Sequence, residues 1–223
     1  MTQITNEIFQ VGGGGFTAHE DAAIYLISFD GHTALVDGGC GRSHDKLLAN
    51  IRSCGTDPAQ IEYLLLTHCH FDHTGGAKAL REELGCQVVA HELDAPYLEQ
   101  GNSLVTAANW YGSSIQAFTV DRKISGPGED IRLGDRSIRA IHIPGHSPGS
   151  MVYITESEGL KVLFGQDVHG PLDPSFLSDR GDYLKSLDRL ISLEADILCE
   201  GHFGIYRGKN EVEGFIRSFL TSA

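Results

Sequence analysis

Three histidines and an aspartate are crowded into six positions of the stretch Thr67-His68-Cys69-His70-Phe71-Asp72-His73-Thr74-Gly75-Gly76. They stand directly behind the apolar run Ile61-Glu62-Tyr63-Leu64-Leu65-Leu66. A strand that ends in such a cluster and then meets Gly-Gly puts its ligand-type side chains on a turn at the edge of a sheet. Histidine and carboxylate are donors that zinc, iron or manganese accept. Cys69 lies between His68 and His70, so alternation points it away from them, toward packing beneath the turn. One cluster half builds a site, and the remaining ligands must come from elsewhere in the chain.

The chain has 223 residues, enough for one large domain or two small ones. A hydrophobic fraction of 41% and a charged fraction of 21% are those of a soluble globular protein. The formal net charge of −13 argues against nucleic acid and anionic membrane as partners, since both need a cationic face. No apolar run reaches the length of a membrane span, and Met1 to Glu7 carries no secretory pattern. The cysteines (Cys40, Cys54, Cys69, Cys86 and Cys199) show no CxxC spacing and read as reduced core residues of a cytoplasmic protein.

In chain order, strands are expected at Ile8–Val11, Ala22–Phe29, Thr33–Val36, Ile61–Leu66 and Gln87–Ala90. Asp30-Gly31 turns the second into the third. Helices are expected at Lys46–Ile51 and Gly76–Gly85, with another opening at His91-Glu92-Leu93-Asp94. Asp37, at a strand end before Gly38-Gly39, is either a turn residue or a carboxylate that orients a ligand histidine. Residues 101–118 lack a clean period. Their Asn109-Trp110-Tyr111-Gly112 lines a pocket, fills core or meets another subunit. The second half gives a hairpin over Asp130–Gly134 and Ser137–Ile143, then strands Ser150–Ile154, Lys161–Phe164 and Asp196–Cys199. Helices are expected at Tyr183–Ile191 and Asn210–Phe219. Nothing reads as a linker, so residues 1–223 are taken as one domain, two sheets packed face to face with helices outside.

Three more ligand-type residues stand at strand ends: His146 in Pro144-Gly145-His146-Ser147-Pro148-Gly149, Asp167 in Gly165-Gln166-Asp167, and His202 in Gly201-His202-Phe203-Gly204. The set His68, His70, Asp72, His73, His146, Asp167 and His202 resembles the metallo-β-lactamase superfamily pattern, H-x-H-x-D-H followed by a lone His, an Asp and a His. The resemblance spans nearly the whole chain. It implies an α/β (α+β) fold, the αββα four-layer sandwich of two mixed β-sheets flanked by helices. It implies His68, His70 and His146 on one divalent metal, Asp72, His73 and His202 on another, and Asp167 bridging. Zn2+ is the first choice, and the same ligands accept Fe or Mn. The implied activity is a dinuclear hydrolase using a metal-bridging hydroxide on a small ester, thioester, lactone or phosphoester, with Asp72 the catalytic proton carrier.

Within the superfamily, true β-lactamases lack an Asp at the bridging position, which argues against that activity here. The glutathione-thioester hydrolases of the glyoxalase II branch, to which the pattern is related, carry a C-terminal helical region. The tail after His202 has room for one helix only, which counts against that substrate. The alternative is an iron-dependent persulfide (sulfur) dioxygenase with one essential metal, and a minor one is a non-catalytic metal-binding protein. His169 is either a donor to substrate or a surface loop residue, and Tyr206 either reaches the pocket or packs as an ordinary aromatic. His142 reads as a core or supporting histidine. The expected partner is a small molecule, and homo-oligomerisation stays open.

Overall fold

The structure, a computed structural model, describes residues 1–222. Its first sheet runs, in spatial and chain order, β1 (Thr2–Gln3), β2 (Ile8–Gly12), β3 (Ile24–Phe29), β4 (His32–Val36), β5 (Ile61–Leu65), β6 (Gln87–His91) and β7 (Arg122–Ile124). The second holds β8 (Gly128–Leu133), β9 (Arg136–His142), β10 (Met151–Ser157), β11 (Leu160–Phe164), β12 (Ile197–Cys199) and β13 (Ile205–Arg207), in reverse spatial order. Both are mixed. Pairing is antiparallel up to β4 and parallel from β4 to β7, and in the second sheet β11–β12 is the parallel pair.

Alternation along the strands explains the layers. In β3, Tyr25, Ile27 and Phe29 face the second sheet, while Ile24 and Leu26 face outward. In β10, Met151 and Tyr153 face the first sheet and Val152 faces outward. Strands buried on both faces need apolar residues at nearly every position, as these have. The outer face of the first sheet is covered by α1 (His44–Ser53) and α3 (Ala77–Leu84), through Leu47, Leu48, Ile51 and Leu80. That of the second is covered by α5 (Arg180–Ser192) and α6 (Lys209–Ser222), through Leu187, Leu190, Val212 and Ile216. The result is the expected αββα sandwich.

Local chemistry sets the helix ends. The Asp179 side chain accepts from the Asp182 amide at the start of α5. Gly85, at φ 68°, ends α3 in the left-handed conformation glycine adopts without strain. Several segments differ from expectation, among them β1 and β7, which carried no assigned element. Residues 91–94 finish β6 and turn, and the helix, α4, begins only at Ala95 (Ala95–Glu99). Residues 205–207, without an assigned element in the sequence reading, pair with β12 as an edge strand. Among the described residues, no helix is long and apolar enough to cross a membrane.

The sheets are also tied at one end by hydrogen bonds. Met151 N donates to Thr67 O (2.7 Å), Ala23 N to Gly201 O (2.8 Å), and the Tyr25 hydroxyl to Glu200 O (2.7 Å). That end carries the ligand-type residues.

Candidate metal centre

β5 stops at Leu65, and the chain turns through Thr67 into a single helical turn, α2 (Phe71–Thr74), which aims Asp72 and His73 inward. The turn is tight because its glycines meet those after β4. Gly38 N donates to His73 O (2.7 Å) and Gly76 N to Gly39 O (2.8 Å). A Cβ on Gly76 would collide with the Gly38 carbonyl. The two Gly-Gly pairs of the sequence are therefore one contact.

His68, His70, His146 and Asp167 form one buried group, and Asp72, His73 and His202 a second beside it. His146 Nδ1 donates to Pro171 O (2.9 Å), which aims Nε2 at His70 Nδ1 (2.9 Å) and His68 Nε2 (3.3 Å). Asp167, held at φ 52°, divides its carboxylate between the groups. Oδ2 lies 3.3 Å from His146 Nε2 and 3.6 Å from His68 Nε2. Oδ1 lies 3.3 Å from both His73 Nε2 and His202 Nε2. Asp72 Oδ2 is 3.1 Å from His202 Nε2 and 3.5 Å from His73 Nε2. His202 comes this close because Gly201 has no side chain. A Cβ there would sit 2.9 Å from Asp167 Oδ1.

These residues fit cations. Buried polar atoms are normally hydrogen-bonded, yet His73 Nε2 and Asp167 Oδ1 are buried, aimed inward and without a hydrogen bond. Burial first, then the neighbouring histidines, holds His68 and His70 well below the usual imidazole range. They keep free lone pairs, as ligands must. For His73 and His202 burial acts in the same sense but is overcome. Asp167, Asp72 and Asp37 raise His73 well above its ordinary value, and Asp167 with Asp72 push His202 up to about 10. Burial opposes ionisation of Asp72 and Asp167 too, but His73 and its neighbours hold both below the usual carboxylate range. Without a cation, protons stand in for the charge that these carboxylates call for.

A ring of supporting contacts fixes the groups. Asp37, itself at φ 63°, accepts from His73 Nδ1 (2.7 Å), Thr67 N (2.8 Å) and Thr67 Oγ1 (2.8 Å). Asp94 escaped the sequence reading. Wholly buried, it accepts from Cys69 N (3.0 Å), Gly149 N (2.7 Å) and Ser147 Oγ (2.6 Å). It thus locks the turn of His68 and His70 to the loop of His146. Glu200, also missed, accepts from His202 N (2.7 Å), Phe203 N (3.0 Å) and His169 Nδ1 (2.7 Å).

Above the groups opens a cleft of about 190 Å³, lined by His70, Asp72, Asp167, His169 and His202 and walled by Ala107, Trp110, Tyr111, Pro171 and Phe176. His169 and the Trp110 segment thus face it, and burial first, then the neighbouring Asp72 carboxylate, raises the Tyr111 phenol well above its ordinary value. Tyr206 does not reach it. It lies on β13, where its ring stacks on Phe215 of α6 at 4.1 Å. An edge strand paired to β12 carries that side chain outward. Cys69 packs in the core beneath the turn, and His142 stacks on His91 at 3.8 Å while donating to Pro148 O.

The profile of the metallo-β-lactamase superfamily matches residues 20–202. Hydroxyacylglutathione hydrolase GloC of Haemophilus influenzae is 28% identical over 197 residues, 85% of this chain and 88% of that protein. Acyl-coenzyme A thioesterase MBLAC2 of Homo sapiens is 28% identical over 229 residues, 89% of this chain and 79% of that protein. Among solved structures, the subclass B3 metallo-β-lactamase BJP-1 of Bradyrhizobium japonicum superposes with a TM-score of 0.77 at 25% identity, covering 97% of this chain and 89% of that one.

Proposed function

The chain belongs to the metallo-β-lactamase superfamily, and from that membership we propose a hydrolase that holds two divalent cations and cleaves a small ester, thioester, lactone or phosphoester. His68, His70 and His146 would hold one cation, and Asp72, His73 and His202 the other. Asp167 would lie between them. The observation that carries this is the division of the Asp167 carboxylate, one oxygen toward each group. Zinc suits these ligands first, and iron or manganese is accepted by the same set.

Bound there, divalent cations would supply Lewis acidity, polarising the scissile carbonyl or phosphoryl and lowering the pKa of bound water from about 15.7 toward about 7. The protein's own groups do the rest. Asp72 Oδ2, at the cleft floor, takes a proton there and returns it to the leaving group. Asp37 keeps the proton of His73 on Nδ1, so that Nε2 presents its lone pair inward. The aromatic wall excludes bulk water and so strengthens each electrostatic contact inside.

Thioesters stand first among the substrates, because two relatives carry thioester-hydrolase names. The short tail after His202 no longer counts against a glutathione thioester, since the chain matches 88% of a relative named for one. The likeness to B3 β-lactamases supports the fold, and Asp167 argues against β-lactam cleavage. The persulfide dioxygenase reading needs one cation, and the second group is equally well formed here.

The test is metal analysis of zinc-loaded protein together with hydrolysis of an ester, thioester, lactone and phosphodiester panel. About two metals per chain and loss of turnover in Asp167→Ala and His146→Ala are expected. Fewer than about one metal per chain, or undiminished hydrolysis in both variants, would sink the proposal. Iron content with oxygen uptake on a persulfide would replace it with the dioxygenase.

A further inference from the structure

We infer that the cleft selects an uncharged, apolar acyl or aryl group, seated against Trp110 and Phe176, and does not recognise an anionic carrier. The inference rests on the hydrolase reading and narrows its substrate class.

Trp110 is 57% exposed, a costly position for a tryptophan that has nothing to bind. Its ring meets Phe176 at 4.6 Å, and Phe176, buried, meets the ring of His70 at 4.4 Å. Aromatic surface therefore runs without a break from solvent to the proposed metal ligands. Ala107 and Pro171 extend it. A group attached to a carbonyl held over the cations would lie along this wall.

The wall is fixed in place. Phe71 N donates to Thr106 O (2.8 Å), tying the Trp110 segment to the ligand turn. Trp110 N donates to Ala107 O (2.9 Å). On the other side, the Asp173 side chain accepts from Ser175 N (2.8 Å) and caps the turn that carries Phe176. Ser178 Oγ donates to His146 O (2.7 Å) and ties that turn to the second ligand loop. Both aromatics are thus referenced to the reacting centre, as a specificity wall requires.

Recognition of a phosphate or carboxylate tail calls for arginine, lysine or a helix N-terminus. Among the described residues that line the cleft, none is lysine or arginine. Arg42, behind the wall, is engaged by Glu20 and by Tyr111 O. The net charge of −13 adds a repulsive background for polyanionic carriers.

The test uses zinc-loaded protein and thioesters of acetate and phenylacetate on a neutral carrier, N-acetylcysteamine, and on coenzyme A and glutathione. The phenylacetyl compound is expected to show kcat/KM at least about tenfold above the acetyl one, with most of the gain in KM. Trp110→Ala should collapse that ratio, and Trp110→Phe should restore most of it. Coenzyme A and glutathione should confer no advantage over the neutral carrier. Because Trp110 is the chain's single tryptophan, its fluorescence reads occupancy independently of turnover. Phenylacetate should quench it at concentrations about tenfold below those of acetate. An acetyl preference, an unchanged ratio in Trp110→Ala, or a tenfold advantage for an anionic carrier would overturn the inference. If no thioester is turned over, thioester cleavage fails on its own. Quenching then still decides the apolar preference, kept by the phenylacetate–acetate difference and overturned by equal quenching.

Discussion

Asp37 and His73, both wholly buried, are joined by a hydrogen bond of 2.7 Å from His73 Nδ1 to Asp37 Oδ2. The same carboxylate holds Thr67, one residue before His68. One side chain from the end of β4 therefore sets the tautomer of a residue in one group and the approach of the chain to the other.

Asp37→Ala is expected to weaken binding of the cation at Asp72, His73 and His202 by about 10- to 100-fold, with a smaller effect on the other. Chelator competition, resolved by site, measures this. Unchanged affinity at both would show that the hydrogen bond does not support the ligand.

Asp94→Ala leaves Cys69 N and Gly149 N buried without their acceptor, whereas Ser147 Oγ keeps Ser150 Oγ at 2.8 Å. At about 1–3 kcal/mol for each of these two unsatisfied groups, the loss should reach about 2 kcal/mol or more. Urea unfolding of the metal-free protein should show it. A loss below about 1 kcal/mol would mean that the loops rearrange to recover their partners.

The metal-free protein should release protons when it takes up cations. His73 and His202 have folded pKa values above their unfolded value of about 6.5, with His202 at about 10. The stability this confers is complete below about pH 6.5 and is lost as pH rises through the folded values. Cation binding displaces those protons, so affinity should climb as pH rises and level off only above the folded values, about 10 for His202. At pH 7 about one proton should leave from His202, and the raised His73 should add to it. Calorimetry in buffers of different ionisation enthalpy counts them, and zero net release would contradict the reading.

Two glycine variants should separate steric from conformational cost. Gly76 has an ordinary φ of −84°, but its added Cβ would strike the Gly38 carbonyl. Gly85 sits at φ 68° with open space around it. Gly85→Ala should cost about 1–2 kcal/mol. Gly76→Ala should cost more and also lower cation content, because the Gly38 turn carries Asp37. Equal costs with full cation content would refute the shared-contact account.

The sandwich and its ligand-type residues were legible because each is written locally. Apolar runs of strand length mark the sheets, and a histidine or aspartate beside glycine marks each strand end. Asp94 and Glu200 were not legible. The partners of Asp94 lie 25, 53 and 55 positions away, so only the fold brings them together. Glu200 has partners nearby at His202 and Phe203, but nothing in Cys199-Glu200-Gly201 distinguishes a buried carboxylate from a solvated one. Tyr206, open in the sequence between the cleft and ordinary packing, was undecided for the opposite reason. Closeness in sequence to His202 suggested the cleft, and strand pairing turned the side chain away.

Each group of ligand-type residues draws on both sheets: His68, His70, Asp72 and His73 follow β5, whereas His146, Asp167 and His202 follow β9, β11 and β12. Neither half of the chain carries a complete set. During synthesis the second group therefore stays open until β12 has emerged and docked beside β11. A chain cut short before His202 would leave Asp167 Oδ1 with one histidine where the finished protein gives it two, so the cation loading proposed above would be a late event in the life of the polypeptide.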